Sequence, residues 1–320
     1  MAQNAAAKLA RIRRITKRQH EPAWGRDYDP AIHATPQEAP KCSRPTILKP
    51  SKLGMRDMHL LSGVEARAAL LALYNPNVFD VHEQHALSRE PTQHPLASHP
   101  MSVGKQFPPI NGTVSVAARL GHCSWHGRVY LEEVDRWLPD IYVGDLLLFL
   151  NDADGAYVVN WTVKAEDRDF NRPGPHPYGR PRRGTSARVV FRHDLEVAYF
   201  SDAGVRTQRV VDPDMDATLF ANLRVLFGYH ALPSNVPPAE RQNIEDSLSR
   251  TVGGTTRVWT TLQAIAQERH MEAEAIRTLL YQAIWARRIL VDLYQPLMID
   301  KPLRTETRDP LRTYASWFSR

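Results

Sequence analysis

The sequence predicts an α/β domain with a mixed sheet flanked by helices, followed by a second, mostly helical domain. A chain of 320 residues exceeds the size at which a single hydrophobic core usually stops growing, so two domains are expected. The residue pattern changes from about Asp212, and the proline-bearing segment 232–238 is typical of a linker. We therefore expect a basic N-terminal arm over residues 1–24, the α/β domain over 25–212 and the helical domain over 213–320.

The clearest strand signal is a pair of apolar runs separated by a short turn. Residues 144–150 (GDLLLFL) and 157–164 (YVVNWTVK) predict two buried strands, and residues 151–155 (NDADG) predict the turn between them. Asp145 begins the first run and Lys164 ends the second. Such an acid can bind Mg²⁺, and such a lysine can orient a water molecule. Their position at the rims of one hairpin suggests the hypothesis of phosphodiester cleavage.

The rest of the first domain alternates helical and strand-like patterns. An apolar helical pattern over about 53–81 ends at Asn75-Pro76-Asn77, before a strand-like segment at 78–81. This helix carries Glu65, a second carboxylate that the fold can bring to the hairpin. The remaining predictions are an irregular insertion over 88–109, a polar helix or loop over 130–138, a helix over 188–200, a strand over 205–211 and a helix over 216–229.

The last third has the order of elements found in winged-helix domains. A helix is predicted over 257–269, a turn over 271–275, a second helix over 276–288, and short strands at 289–293 and 297–299. The second helix carries Arg277, Arg287 and Arg288 on its predicted outer face. Winged helices either bind DNA or dock partner proteins, and the sequence leaves both uses open.

Basic residues are clustered in two segments. The 41 Lys and Arg against 35 Asp and Glu give a net charge of +6, which permits nucleic-acid binding. The N-terminal arm is expected either to track phosphates or to be a solvated tail, and the loop over 172–183 is expected to be either a phosphate-binding loop or an unstructured insertion. The predicted DNA-binding residues are Arg13, Arg14, Lys17, Arg18, Arg180, Arg182 and Arg183.

Composition argues against several other classes of protein. Two cysteines do not make a disulfide framework, so a reducing compartment, the cytoplasm, is the simpler expectation. The apolar run at 146–150 is far too short for a bilayer, so no membrane association is expected. No glycine pair follows a phosphate-loop pattern, so nucleotide binding by this chain is not expected.

Four segments in this order resemble a known family. They are GRDY at 25–28, HLLSGVE at 59–65, VFDVHEQ at 78–84 and the hairpin with its acid and lysine. The family is TnsA, the endonuclease subunit of heteromeric cut-and-paste transposases of bacterial mobile elements. The resemblance covers roughly the first two thirds of the chain and is loose in the last third. It implies a restriction-endonuclease-like nuclease fold that cleaves the 5′ ends of transposon DNA, with a TnsB-type transposase and a TnsC-type AAA+ ATPase as partners in the bacterial cytoplasm.

The resemblance also implies roles for individual residues. Glu65 and Asp145 would bind Mg²⁺, as two ions for which Mn²⁺ can substitute, and Val163 would add its backbone carbonyl. Lys164 would position the attacking water. Thr162 stands where the family usually has Gln or Glu, and its hydroxyl is a weaker metal ligand.

Some alternatives stay open at this point. Asp140 competes with Asp145 because Pro139-Asp140 matches the proline–aspartate doublet of this nuclease superfamily. We prefer Asp145 because it directly precedes the apolar strand. For the whole chain, the alternatives to a transposase nuclease are a non-catalytic DNA- or protein-binding scaffold and a stand-alone restriction-type nuclease.

Overall fold

The computed structural model describes residues 2–41, 43–131, 135–172 and 186–320, and the chain forms two compact units. The first unit comprises Met1–Ala69, Asn77–Pro213 and Ser319–Arg320, and the second comprises Leu70–Pro76 and Asp214–Phe318. The N-terminal segment therefore belongs to the first unit. A short internal segment, 70–76, belongs with the C-terminal one.

The strands within the described residues all belong to the first unit. In chain order they are β1 (Thr46–Leu48), β2 (Met58–Leu60), β3 (Val78–Glu83), β4 (Ala86–Leu87), β5 (Arg128–Leu131), β6 (Arg136–Pro139), β7 (Tyr142–Val143), β8 (Leu146–Asp152), β9 (Gly155–Lys164) and β10 (Arg206–Val211). Four helices accompany them: α1 (Ala2–Arg18), α2 (Gly63–Tyr74), α3 (Thr113–Arg119) and α4 (Ser186–Ser201). The last turns of α2 belong to the second unit.

The central sheet has four strands in the order β10-β9-β8-β3. Strands β9 and β10 are parallel, and the other neighbours are antiparallel. The sheet is therefore mixed, as the sequence predicts, and the predicted hairpin is strands β8 and β9. Residues 146–150 are all buried, which fits a continuous apolar run in a strand that is covered on both faces. Gly155 completes the turn with a φ of +99°, a conformation that favours glycine.

Helix α4 covers one face of this sheet. Alternating hairpin side chains, among them Phe149 and Val158, pack in one buried cluster with Phe191 and Leu195 of α4. Successive residues of a strand point to opposite faces. Residues 160, 162 and 164 of β9 therefore face the same side as Val158, toward α4.

The predicted basic arm is a helix with a buried apolar face. In α1, Ile12 and Ile15 pack against Ile141 and Val143, residues that lie far along the chain. The basic side chains occupy the remaining surface of the helix, and Arg11 reaches Asp140 with 2.9 Å between Nη1 and Oδ1. The arm is thus an ordered part of the first unit.

The prediction of a helix or loop over 130–138 is wrong, because this segment contributes to the β5–β6 hairpin. Val129 is paired with Leu138, and Tyr130 with Trp137. The Arg128 guanidinium lies 4.6 Å from the centre of the Trp137 ring. Cross-strand aromatic and cation–π contacts of this kind stabilise a short hairpin despite its polar surroundings. The irregular segment 88–109 is confirmed: it contains one short 3₁₀ turn, Pro100–Ser102, and one isolated bridge to Ile110.

The second unit is helical in the part that the structure describes. Its helices are α5 (Ala217–Tyr229), α6 (Pro238–Ser249), α7 (Val258–Arg269), α8 (Ala273–Trp285), α9 (Pro310–Thr313) and α10 (Ala315–Phe318). Helix α8 is central and packs against α5, α6 and α7. The predicted helices over 216–229 and 257–269 are confirmed. The helix predicted over 276–288 after a turn at 271–275 forms as α8, which begins and ends three residues earlier, so that Arg287 and Arg288 lie just beyond its end. Helix α6 was not predicted.

The two strands predicted at 289–293 and 297–299 are wrong. Only an isolated bridge between Val291 and Thr305 forms there. Asn222 of α5 provides the physical reason, since its amide donates to the carbonyls of Leu293 and Gln295 and accepts from the Leu297 N–H. A side chain thus satisfies backbone groups that a strand would offer to a partner strand.

The arginines predicted on the outer face of α8 are engaged within the second unit. Arg288 makes two hydrogen bonds to Glu245 at 2.7 and 2.8 Å. Arg287 pairs with Asp309, and Arg277 pairs with Glu274. Cations that are already paired with carboxylates are poorly placed to bind DNA phosphates.

Candidate active site

The hairpin brings Asp145 and Lys164 into direct contact. Lys164 Nζ donates to Asp145 Oδ2 at 2.9 Å and to the carbonyl oxygen of Val163 at 2.9 Å. The Val163 N–H donates to the same carboxylate oxygen at 2.7 Å. Both side chains are mostly buried, with 18% of Asp145 and 27% of Lys164 exposed. The register of β8 against β9 produces this contact, because Leu146 is paired with Trp161.

The surroundings of Asp145 favour its charged form. Burial by itself raises the pKa of this carboxyl, but the charge of Lys164 and the hydrogen bonds from Val163 and Lys164 outweigh burial, so the pKa lies below its usual value. Asp145 is therefore ionised at neutral pH, as a metal ligand must be.

Glu65 lies in the first turn of α2 and is buried. Its Oε2 accepts from the Leu61 N–H and from the Gln84 amide, each at 2.9 Å, and its Oε1 accepts from the Ser62 hydroxyl at 3.0 Å. The Glu65 N–H donates back to Ser62 Oγ at 3.1 Å. This reciprocal pair resembles a capping box, which stabilises the start of a helix and fixes the position of the carboxylate.

Gln84 connects Glu65 to the hairpin acid. Its side chain holds Glu65, and its backbone N–H donates to the carbonyl of Asp145 at 2.9 Å. The residue has a φ of +48°, a left-handed conformation that costs a non-glycine residue about 1–2 kcal/mol. Gln84 thus contacts the Glu65 carboxylate through its side chain and the Asp145 main chain through its N–H. In the sequence, only the family resemblance draws attention to Gln84.

The two carboxylates interact through space. Burial, and then the negative charge of Asp145, raise the pKa of Glu65 to about 7 against an ordinary value of 4.5, while its hydrogen bonds and Lys164 act in the other direction. Two acids held close together in a buried site ionise at a cost unless a cation accompanies them.

The raised pKa of Glu65 leads to a prediction about the stability of the metal-free protein. A carboxyl whose pKa is raised on folding stabilises the folded state fully below pH 4.5, and that contribution is lost as the pH rises through about 7. In EDTA, Glu65→Gln should gain stability relative to wild type over this window, by up to about 3 kcal/mol. The measurement is the free energy of unfolding by denaturant at several pH values.

The quantity to compare is the difference in the free energy of unfolding between Glu65→Gln and wild type at each pH. Buried His94 and His193 have pKa values lowered to about 4, so their contribution to stability grows with pH from about 4 to 6.5 and masks that of Glu65 in either protein alone. Subtraction removes their common contribution. If the free energies of unfolding of wild type and Glu65→Gln changed in parallel with pH, this result would contradict a raised pKa at Glu65.

The structure adds a carboxylate that sequence reasoning missed, Glu196 of α4. Asn160 Nδ2 of β9 donates to Glu196 Oε1 at 2.9 Å. Burial, and then the charge of Asp145, raise the pKa of Glu196. A signal was present in the sequence, since Glu196 follows Leu195 on the apolar side of a predicted helix, where an acid is unusual.

Three buried polar atoms beside these acids have no hydrogen-bond partner within the described residues. They are Thr162 Oγ1, Asn160 Oδ1 and His193 Nδ1. Burial and then the charge of Lys164 lower the pKa of His193, so its ring is neutral at pH 7. Buried polar atoms are rarely left unpaired, and they commonly mark a place for water or an ion.

Asp140, the rival acid, lies in a different environment. It pairs with Arg11 of α1 and accepts from the N–H of Ile141 at 2.8 Å. The contact with Lys164 is made by Asp145. The two acids therefore have different partners, Lys164 for Asp145 and Arg11 for Asp140.

Residues from other segments of the resemblance make hydrogen bonds that hold β3 in place. The Gly25 N–H donates to Asp80 at 2.7 Å, and the Tyr28 hydroxyl donates to the carbonyl of Glu83 at 2.9 Å. Glu83 is completely buried and makes a two-point ion pair with Arg56. These residues fix the strand that leads to Gln84.

The predicted DNA-binding residues fall into three groups. Arg13 and Lys17 are exposed on α1. Arg18 makes two hydrogen bonds to Glu38, and Arg14 lies 3.5 Å from the same carboxylate, so these two cations are partly neutralised. Arg180, Arg182 and Arg183 lie outside the described residues.

The donor set fits a magnesium ion. Across the part of the chain that the structure describes, no three His, Cys, Asp or Glu side chains already converge to hold a metal. Magnesium, however, usually keeps several waters and needs only one or two carboxylates from the protein. Asp145, Glu65 and the Val163 carbonyl offer hard oxygen ligands of that kind, and the unpaired Thr162 hydroxyl adds another.

Comparison with known proteins adds no assignment. No family model matches the chain, and no curated protein matches it.

None of the described helices combines the length and apolar character needed to cross a membrane.

Proposed function

We propose that this protein is a Mg²⁺-dependent DNA endonuclease that acts as the cleavage subunit of a heteromeric transposase. The observation that carries the proposal is the contact of Lys164 with Asp145 and the Val163 carbonyl, with Glu65 linked to the same acid through Gln84. The mixed sheet and the order helix, strand, hairpin, helix, strand support a restriction-endonuclease-like fold for the first unit.

The proposed chemistry assigns one task to each group. Asp145, Glu65 and the Val163 carbonyl would hold the cation, with Thr162 as a weaker ligand. When bound, Mg²⁺ would supply charge stabilisation at the phosphate and would acidify a water. Lys164 would orient the attacking water and stabilise negative charge that develops on the phosphate. The buried carboxylates and their fixed hydrogen bonds preorganise the site before DNA arrives.

The surface for DNA is proposed on α1. Arg13 and Lys17 are exposed, and the apolar side of the helix is anchored in the first unit. A rigid helix that presents cations can follow a phosphate backbone without the ordering cost of a flexible tail. Arg180, Arg182 and Arg183, which lie outside the described residues, are proposed as further DNA contacts.

For the second unit we propose partner docking on a helical scaffold, which has the helices of the predicted winged-helix order but, within the described residues, not its pair of strands. The pairing of Arg277, Arg287 and Arg288 with carboxylates of the same unit favours docking over DNA binding. The proposed partners are a TnsB-type transposase and a TnsC-type AAA+ ATPase, with transposon ends as the DNA.

The experiment that tests the function is DNA cleavage by the purified chain, alone and with such partners. With a linear DNA that carries a transposon end, we expect Mg²⁺- or Mn²⁺-dependent cuts at the 5′ ends when the partners are present. DNA binding without any cleavage, even in Mn²⁺, would instead identify a non-catalytic scaffold. A sequence-specific cut by the isolated chain would identify a stand-alone restriction-type nuclease.

A further inference from the structure

A polar stripe runs along β9 on the face that α4 covers. Asn160, Thr162 and Lys164 alternate along this strand and therefore share one face. Asn160 and Thr162 are 0% and 3% exposed, yet Asn160 Oδ1 and Thr162 Oγ1 have no hydrogen-bond partner within the described residues. Two buried oxygen acceptors thus lie in line with Lys164.

Helix α4 brings charged and polar groups to the same place. Arg192 donates to the carbonyl of Val143 at 3.3 Å, so this turn of α4 lies against the segment that leads into Asp145. One turn further on, Glu196 accepts from Asn160. His193, between them, has an unpaired Nδ1. The stripe and this part of α4 thus place Glu196 and the unpaired Thr162 hydroxyl on the face of β9 that also carries Lys164.

The charges of the buried groups are unbalanced. Glu65 and Glu196 are buried and Asp145 is mostly buried, and among these carboxyl groups Lys164 contacts Asp145. Buried charges of one sign are normally compensated by a counterion or a metal.

We propose that Glu196 is a third acidic ligand of the site and holds a divalent cation together with Asp145 and the Thr162 hydroxyl. The inference rests on the proposed function and deepens it, because it adds a ligand from α4 to the cation site at Asp145. Hard oxygen donors of this kind suit Mg²⁺ and Mn²⁺.

The test is calorimetric titration of the full chain with Mn²⁺ in the absence of DNA. We expect wild type to bind two ions and Glu196→Gln to lose one of them, or to bind it at least about tenfold more weakly. Glutamine keeps an oxygen that accepts from Asn160, so the fold should persist. Asp194→Asn is the matched control, since it removes the same charge from an exposed position on the same helix and should bind both ions.

A second measurement separates a ligand from a merely structural residue. In EDTA, Glu196→Gln should melt at the same temperature as wild type or higher, because one of three repelling charges is gone, and added Mn²⁺ should raise its melting temperature less than that of wild type. A lower melting temperature in EDTA with an unchanged Mn²⁺ effect would make Glu196 a structural partner of Asn160 and overturn the inference.

The two proposals fail in different ways. If Glu196→Gln binds Mn²⁺ like wild type while Asp145→Ala loses it, the inference fails and the proposed nuclease site stands. If wild type itself binds no Mn²⁺ at millimolar concentration, both fail.

Discussion

Asp145→Ala should abolish DNA cleavage by the reconstituted complex, with a fall of at least about 1,000-fold. The substitution removes the carboxylate that contacts both Lys164 and the Val163 N–H, and with it the principal ligand of the proposed cation. Mn²⁺ binding should be lost in parallel. Rates of cleavage under single-turnover conditions measure the effect, and calorimetry measures the loss of the ion.

Two further variants make this result specific. Asp145→Asn keeps an oxygen that can accept from the Val163 N–H, so it should fold like wild type and still fail to cleave. Asp140→Ala removes the acid that pairs with Arg11, and cleavage should stay within about threefold of wild type, because a partly exposed ion pair contributes little. Cleavage that survives Asp145→Ala and disappears in Asp140→Ala would show that Asp140 is the ligand.

Lys164→Ala should lose cleavage by about 100- to 1,000-fold while DNA affinity changes by no more than about twofold. The ammonium is mostly buried against Asp145 and the Val163 carbonyl. In the proposed mechanism it would act at the reacting phosphate and add little to the release of counterions. Cleavage rates at saturating enzyme, together with dissociation constants at several salt concentrations, separate the two quantities.

Lys17→Ala is the matched control, since it removes the same side chain from the exposed face of α1. Here we expect weaker DNA binding and a salt dependence reduced by about one counterion, with normal cleavage of the DNA that is bound. A parallel loss of binding and cleavage in Lys164→Ala would make Lys164 a general DNA contact.

The contacts that the sequence predicts well are those that a single local element determines. Asp145 and Lys164 meet because they flank one hairpin, whose apolar runs and turn residues define its register. The helix that carries Glu65 ends before Pro76, as the sequence Asn75-Pro76-Asn77 predicts. The start of this helix was predicted wrongly, because the helical pattern begins at about residue 53, whereas residues 58–60 form β2 and α2 begins at Gly63.

Contacts between distant elements were not predictable in the same way. The periodicity of α4 indicates an apolar face, but it does not indicate that Glu196 meets Asn160 of β9. Similarly, residues 289–299 have the composition of strands, and Asn222 of α5 prevents their pairing through bonds that no local pattern shows. Tertiary context decided both outcomes.

Gln84 has a consequence for how this site can vary. Glycine is the residue that a φ of +48° favours, but glycine has no amide to hold Glu65. Substitution by glycine would relax the main chain and release the carboxylate, whereas asparagine would tolerate the conformation with a shorter reach. Position 84 therefore has two opposing structural requirements: its backbone conformation favours glycine, whereas the hydrogen bond to Glu65 needs a long amide side chain. In related chains, a long amide retained at this position would indicate that the glutamate is still held in place.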